Sequence, residues 1–190
     1  MNALSPPILT FGYGVRRLEE TFRLLRAHDV QYIVDVRSSP WSRYRPEYNQ
    51  REFAQSLAKA GIRYVFMGAE LGGRPDDPLC YDEEGRVDYR LCRERPQFAE
   101  GIARLLDAQG KRLQVAVMCS EGRPEDCHRT KLVAEELIKR GARVVHLDLD
   151  GNTIEHDKVM LRITNGQMAL LTDGDQALHK SRGRYQPTAR

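Results

Sequence analysis

A chain of 190 residues, 30% charged and 7% aromatic, carries enough apolar sequence for one ordinary core, and a second independent domain is not expected. Its formal net charge of +3 is too small for a general duplex-binding surface, and no segment approaches the ~20 apolar residues of a membrane span. The start of the sequence lacks a basic n-region and a long apolar stretch, so the expected location is cytoplasmic, with no membrane partner.

In that compartment Cys80, Cys92, Cys119 and Cys127 read as thiols and not as a disulfide framework, and Cys80 and Cys92 as incidental ones. Arginine outnumbers lysine 24 to 6. Guanidinium forks onto phosphate or carboxylate, so a clustered subset could form an anion site; for most of these residues the plainer reading is a solvated surface.

Residues 8–14 read as a first strand ending in a glycine-containing turn, and Leu18, Phe22 and Leu25 follow at helical spacing. Gly12 and Gly14 suit a tight strand-to-helix turn, but the third glycine of a dinucleotide fingerprint is missing. Residues 31–37 form a second strand with Asp35 and Arg37 on one face, either an Asp orienting an Arg or a plain ion pair. Residues 38–48 show no period and hold Trp41, Arg43 and Tyr44, a functional loop by its length. Asn49 is placed to cap a helix over 50–60, which Gly61 ends.

A third strand over 62–67 leads into Glu70-Leu71-Gly72-Gly73-Arg74. Residues 76–93 read as a surface excursion of lid type, and 96–108 as a helix stopped by Gly110. The fourth strand, 112–118, is apolar on both faces and therefore central. Its helix is expected to start near Pro124 and end at Gly141. A fifth strand over 142–149 is polar enough for a sheet edge, with His146 a satisfied strand residue. Around Asn165-Gly166 a hairpin competes with a short helix from Asp157 that Gly166 stops. Residues 179–190 read as a basic disordered tail beyond a single domain spanning 1–178. The expected fold is α/β: three layers, α/β/α, around a mainly parallel five-stranded Rossmann-like sheet.

Ligands in such sheets bind outside the carboxyl ends of the strands. Gly12-Tyr13, Arg37 to Arg43 with Ser39 and Pro40, Glu70 to Arg74, and Cys119 to Arg129 all follow strand ends, so one shared edge is the expected site.

Asp35-Val36-Arg37 with Pro40 and Ser42-Arg43, Glu70-Leu71-Gly72-Gly73, Cys119-x-Glu121-x5-Cys127-His128-Arg129 and His146-Leu147 together resemble the bacterial domain of unknown function 488. The resemblance is collinear over roughly residues 8–156 and implies an α/β domain, with no established reaction. One departure is Gly12-Tyr13-Gly14, where many members resemble Gly-His-Ser.

Three chemistries compete at this edge. The leading expectation is binding of a phosphate-bearing ligand, a nucleotide or single-stranded nucleic acid. Arg37, Arg43, Arg74 and Arg129 would take phosphates, and Tyr13, Trp41 and Tyr44 would offer stacking faces. Gly12, Ser39, Pro40, Glu70, Gly72, Gly73, Cys127 and His128 complete the expected ligand-binding set. The alternative is a cysteine-dependent enzyme with Cys119 as nucleophile or redox thiol, supported by Glu121 and Arg129; a scaffold or partner-binding domain is the further alternative. A metal site on Cys119, Cys127 and His128 is not expected. Their C-x7-C-H spacing matches no common zinc pattern, and neighbours on one helix would point about 100° apart. No cofactor and no oligomeric state is specified.

Overall fold

Strands that are apolar on both faces must be covered on both sides, and that demand sets the architecture. The computed structural model describes residues 5–164, 166 and 176–185. Its elements are β1 (Ile8–Gly12), α1 (Leu18–Ala27), β2 (Tyr32–Asp35), α2 (Gln50–Lys59), β3 (Arg63–Phe66), α3 (Gly68–Leu71), β4 (Arg86–Asp88), α4 (Tyr89–Arg93) and α5 (Pro96–Gly110). There follow β5 (Val115–Cys119), a π-helical stretch (Arg129–Ala134) that runs into α6 (Glu135–Lys139), β6 (Val144–Leu147), β7 (Thr153–Glu155), α7 (His156–Ile163), α8 (Gln176–His179) and β8 (Lys180–Arg184).

The main sheet has the order β3-β2-β5-β1-β6-β7, parallel except for β7. Neighbours along a strand enter opposite layers: Ile8 and Val115 pack with α5 and the π-helical stretch, whereas Leu9 and Ala116 pack with α1 and α2. The three-layer α/β/α arrangement is therefore present, with six strands in place of five. The extra strand is β7, only three residues long and too short to show a period. It covers β6, which is buried throughout and is not the edge that its polar residues suggest.

The polarity of β6 comes from His146, which is fully buried in a chain of hydrogen bonds. Glu135 can only accept, so Nε2 of His156 donates to it at 3.1 Å. Nδ1 of His156 lies 3.0 Å from Nε2 of His146, and Nδ1 of His146 lies 2.7 Å from the Thr10 hydroxyl. This hydrogen bond from His156 is the main cause that lowers the Glu135 carboxyl from 4.5 to about 2. A depressed acid contributes stability above its ordinary pKa and loses it as the pH falls towards the folded value. Urea titrations at pH 5 and near pH 2.5 are expected to show a loss of about 1–2 kcal/mol after allowance for partial exposure, and Glu135→Gln should remove that pH-dependent component. An unchanged acid slope in the variant would refute the assignment.

Two segments depart from expectation. The stretch 76–93 is no lid: Cys80, Val87, Tyr89 and Cys92 are buried in the main core cluster. Residues 180–184 are not a tail, because β8 pairs antiparallel with β4 and carries buried Ser181, whose Oγ accepts from Val87 N at 3.0 Å. A short basic segment with alternating burial has no apolar signal, so only its pairing reveals it as a strand. Of the two readings near Asn165-Gly166, the helix is present. Gly166, at φ +81, donates its N–H to Leu161 O at 2.9 Å just beyond α7; the hairpin's second strand falls outside the described residues. Asn49 stands at the N-cap of α2 as expected, but its side chain makes no capping bond; its Oδ1 accepts from Ser42 N at 2.6 Å and ties down the 38–48 loop.

Candidate functional site

The chain leaves β1 towards β2 and leaves β5 towards β6, and these destinations lie on opposite sides of the β1–β5 pair. Crossovers that diverge in this way open a crevice at the carboxyl ends of the two strands. Gly12 and Cys119 are register partners at that point. The last residue of β5 is thus a thiol placed at the switch point of the sheet.

The segment after Cys119 does not run straight into a helix. Pro124–Asp126 makes one 3-10 turn, Cys127 is extended (φ −115°, ψ 142°), and helical geometry begins only at His128. The helix expected from Pro124 therefore starts four residues late, because Cys127 breaks it. The break turns Cys127 and His128 back towards β5. Sγ of Cys119 and Sγ of Cys127 each lie 3.8 Å from Nδ1 of His128. Nε2 of His128 lies 3.0 Å from the carbonyl of Val36. A carbonyl only accepts, so Nε2 carries a proton and donates to it, which leaves Nδ1 on the side of the two sulfurs. Cys127, as hydrogen-bond donor, and His128 hold the Cys119 thiol well below its ordinary range, against the opposing effect of burial. Burial, then the hydrogen bond to Cys119, pushes Cys127 well above it.

Glycines make room for this packing. A Cβ on Gly73 would come within 2.6 Å of Cγ of His128, so only the bare backbone can brace the imidazole. Gly73→Ala is expected to displace the ring at a cost of about 1–3 kcal/mol. Nitrogen NMR of His128 should then show the Nε2–H resonance shifted by loss of its hydrogen bond to Val36 O, and an unchanged spectrum would contradict the contact. A Cβ on Gly72 would strike Gly68 O at 2.2 Å and Ser38 Oγ at 2.4 Å, a packing role and not a ligand contact.

Arg129 is the largest correction. It is fully buried, and its guanidinium donates to the carbonyls of Glu121 and, at 3.0 Å, Gly122. It clamps the 119–123 loop from below and does not line the cavity described next. A Cβ on Gly12 would come within 1.6 Å of Glu121 O, so Gly12 lies directly under the clamped loop. Both residues shape the site without facing it.

Arg37 has the opposite arrangement. Its Nε and Nη2 are taken by Asp35 at 2.9 and 2.6 Å, and Nη2 also reaches Tyr48 O at 2.8 Å. Nη1 has only a long contact, 3.4 Å, with the Tyr13 hydroxyl on the cavity wall. Burial works against the guanidinium charge, but the hydrogen bonds and charge of Asp35 outweigh it and raise the pKa above its ordinary value. Tyr13 is set by a ring stack on Tyr48, 4.1 Å between centroids.

These groups border a cavity of about 610 Å³. Tyr13, Arg37, Ser39, Gly73, Arg74, Cys119, Glu121, Cys127 and His128 of the expected set line it, together with Trp41. Arg43 does not; it lies over the ring of Tyr44, and both are exposed. Glu70 pairs with Arg104 at 2.9 Å, the Pro40 carbonyl accepts from Gln50 N, and neither residue lines the cavity. Sequence reading missed Tyr89, Arg182 and Tyr185, which α4, β8 and the residue after β8 bring to the cavity. Arg74 stacks on Tyr185 at 4.0 Å from the ring centroid, and Arg182 pairs with Asp126 at 2.7 Å. The only sequence signal of Arg182 and Tyr185 was the basic, aromatic-bearing segment 180–185, and Tyr89 lay in the stretch read as a surface excursion.

Fold and site together define a doubly wound α/β protein with a thiol- and imidazole-floored cavity at its switch point. The chain belongs to the family described as domain of unknown function DUF488, whose profile matches residues 17–136. No curated protein and no solved structure matches the chain. No helix among the described residues is long and apolar enough to cross a membrane.

Proposed function

We propose that the cavity binds a phosphate-bearing ligand of nucleotide size. The observation that carries this reading is Arg37. A buried guanidinium that lines the cavity, with two nitrogens fixed by Asp35 and the third held only by a 3.4 Å contact to Tyr13, is a preorganised anion contact. Arg74 and Arg182 add positive charge at the rim, and Tyr13, Trp41 and Tyr185 add flat faces for a base. A concave volume of about 610 Å³ suits one nucleotide unit, free or at the end of a single strand, better than an extended strand.

The only tryptophan, Trp41, lies on the cavity wall and is 66% exposed, which makes its fluorescence the natural reporter. A nucleoside monophosphate is expected to change its emission saturably, with the parent nucleoside binding about tenfold or more weakly, as loss of charge-assisted hydrogen bonds implies. Arg74→Ala should weaken the monophosphate several-fold. No saturable response to any monophosphate would sink the proposal.

A second reading, a cysteine-dependent enzyme, draws on Cys119 beside an oriented imidazole at the cavity floor. Of its three expected residues only Cys119 and Glu121 line the cavity, since Arg129 is turned to the loop.

A further inference from the structure

We propose that Cys119, Cys127 and His128 form a binding site for zinc or a comparable soft divalent metal, open on the cavity. Sγ of Cys119, Sγ of Cys127 and Nδ1 of His128 all lie within 4.8 Å of one another. Tetrahedral zinc with bonds of about 2.3 Å to sulfur and 2.0–2.1 Å to nitrogen separates its sulfur and nitrogen ligands by roughly 3.6 Å. Both sulfurs stand 3.8 Å from the same Nδ1, so each sulfur–nitrogen separation is within a few tenths of an ångström of the tetrahedral value.

The support around the imidazole fits the same role. A metal-binding histidine characteristically donates its other ring N–H to a carbonyl or carboxylate, which fixes the tautomer and aims the free lone pair. Nε2 of His128 is held in this way by Val36 O, while Gly73 braces the ring. A lone nucleophile needs one sulfur near the imidazole; here two sulfurs are placed symmetrically, and Cys119 and Cys127 are only 4% and 1% exposed. The expectation against a metal assumed that Cys127 and His128 share a helix. They do not, because Cys127 is extended, and the 100° divergence is removed. The fourth corner faces the cavity that all three residues line, leaving it to water or to an oxygen of the bound anion. Only that last assignment rests on the function proposed above.

The test is metal analysis of the full chain, purified without chelator, followed by replacement of the metal with cobalt(II). One zinc per chain and a thiolate-to-cobalt charge-transfer band are expected. Cys119→Ser or Cys127→Ser should each about halve the band and weaken zinc by more than about 100-fold, beyond the roughly 10–100-fold typical of losing a supporting group. If a variant fails to fold by circular dichroism, cobalt titration of the unaltered chain decides alone. Absence of both stoichiometric zinc and the band, or zinc retained by the folded double variant, would overturn the site. Loss of Trp41 response with the metal intact would instead overturn the nucleotide reading, so the two failures are separable.

Discussion

Asp35→Ala is expected to destabilise the protein by about 3–5 kcal/mol, the range for removing one partner of a buried ion pair. Asp35 is fully buried and accepts from Arg37 N at 3.0 Å, from Nε at 2.9 Å, from Nη2 at 2.6 Å and from the Tyr64 hydroxyl at 2.6 Å. Its loss strands a buried guanidinium, a phenol and a main-chain N–H at the end of β2. Urea titration should show the shift, and the Trp41 response to nucleotide should vanish, because Nη1 of Arg37 is no longer aimed. Asp35→Leu combined with Arg37→Met should recover much of the stability and none of the ligand response. A single-variant loss below about 1 kcal/mol would mean that the pair behaves like an exposed one.

Arg129→Ala should cost about 2–5 kcal/mol, combining the cavity left by a large buried side chain with two unpaired carbonyls. The loop from Cys119 to Arg123 should detach from β1, and amide exchange over 120–123 should accelerate while exchange in the strands changes little. Arg129→Lys separates the structural role from anion binding. One ammonium cannot fork onto the carbonyls of Glu121 and Gly122, so Lys should be nearly as destabilising as Ala. Had Arg129 been an anion contact, Lys would preserve stability and weaken only the ligand.

That contrast explains why the arginine-rich composition was misleading. Arg16, Arg37, Arg45, Arg93 and Arg129 all donate to main-chain carbonyls, of Gly12, Tyr48, Arg16, Lys131 and Gly122 respectively. These five guanidiniums hold backbone segments together. Among the described residues, only Arg37, Arg74 and Arg182 of the arginines line the cavity. Spacing along a sequence cannot distinguish a guanidinium that forks inward from one that forks outward, since both sit at the same strand end.

The sequence alone determined the class of fold and the sheet edge at which the strand-end residues meet around a cavity. Apolar periods are local: strands show a two-residue alternation or a continuous run, and helices repeat every 3.6 residues. Right-handed crossovers then bring every strand end in a parallel sheet to one side. Tertiary structure decided the rest, because it depends on contacts between residues far apart in the chain. Pairing of β8 with β4 made a wall out of the expected tail. Burial turned Arg129 from ligand contact to clamp. The single extended residue Cys127, invisible to any helical period, brought two sulfurs to one imidazole nitrogen and made the strand-end thiol part of a three-ligand cluster.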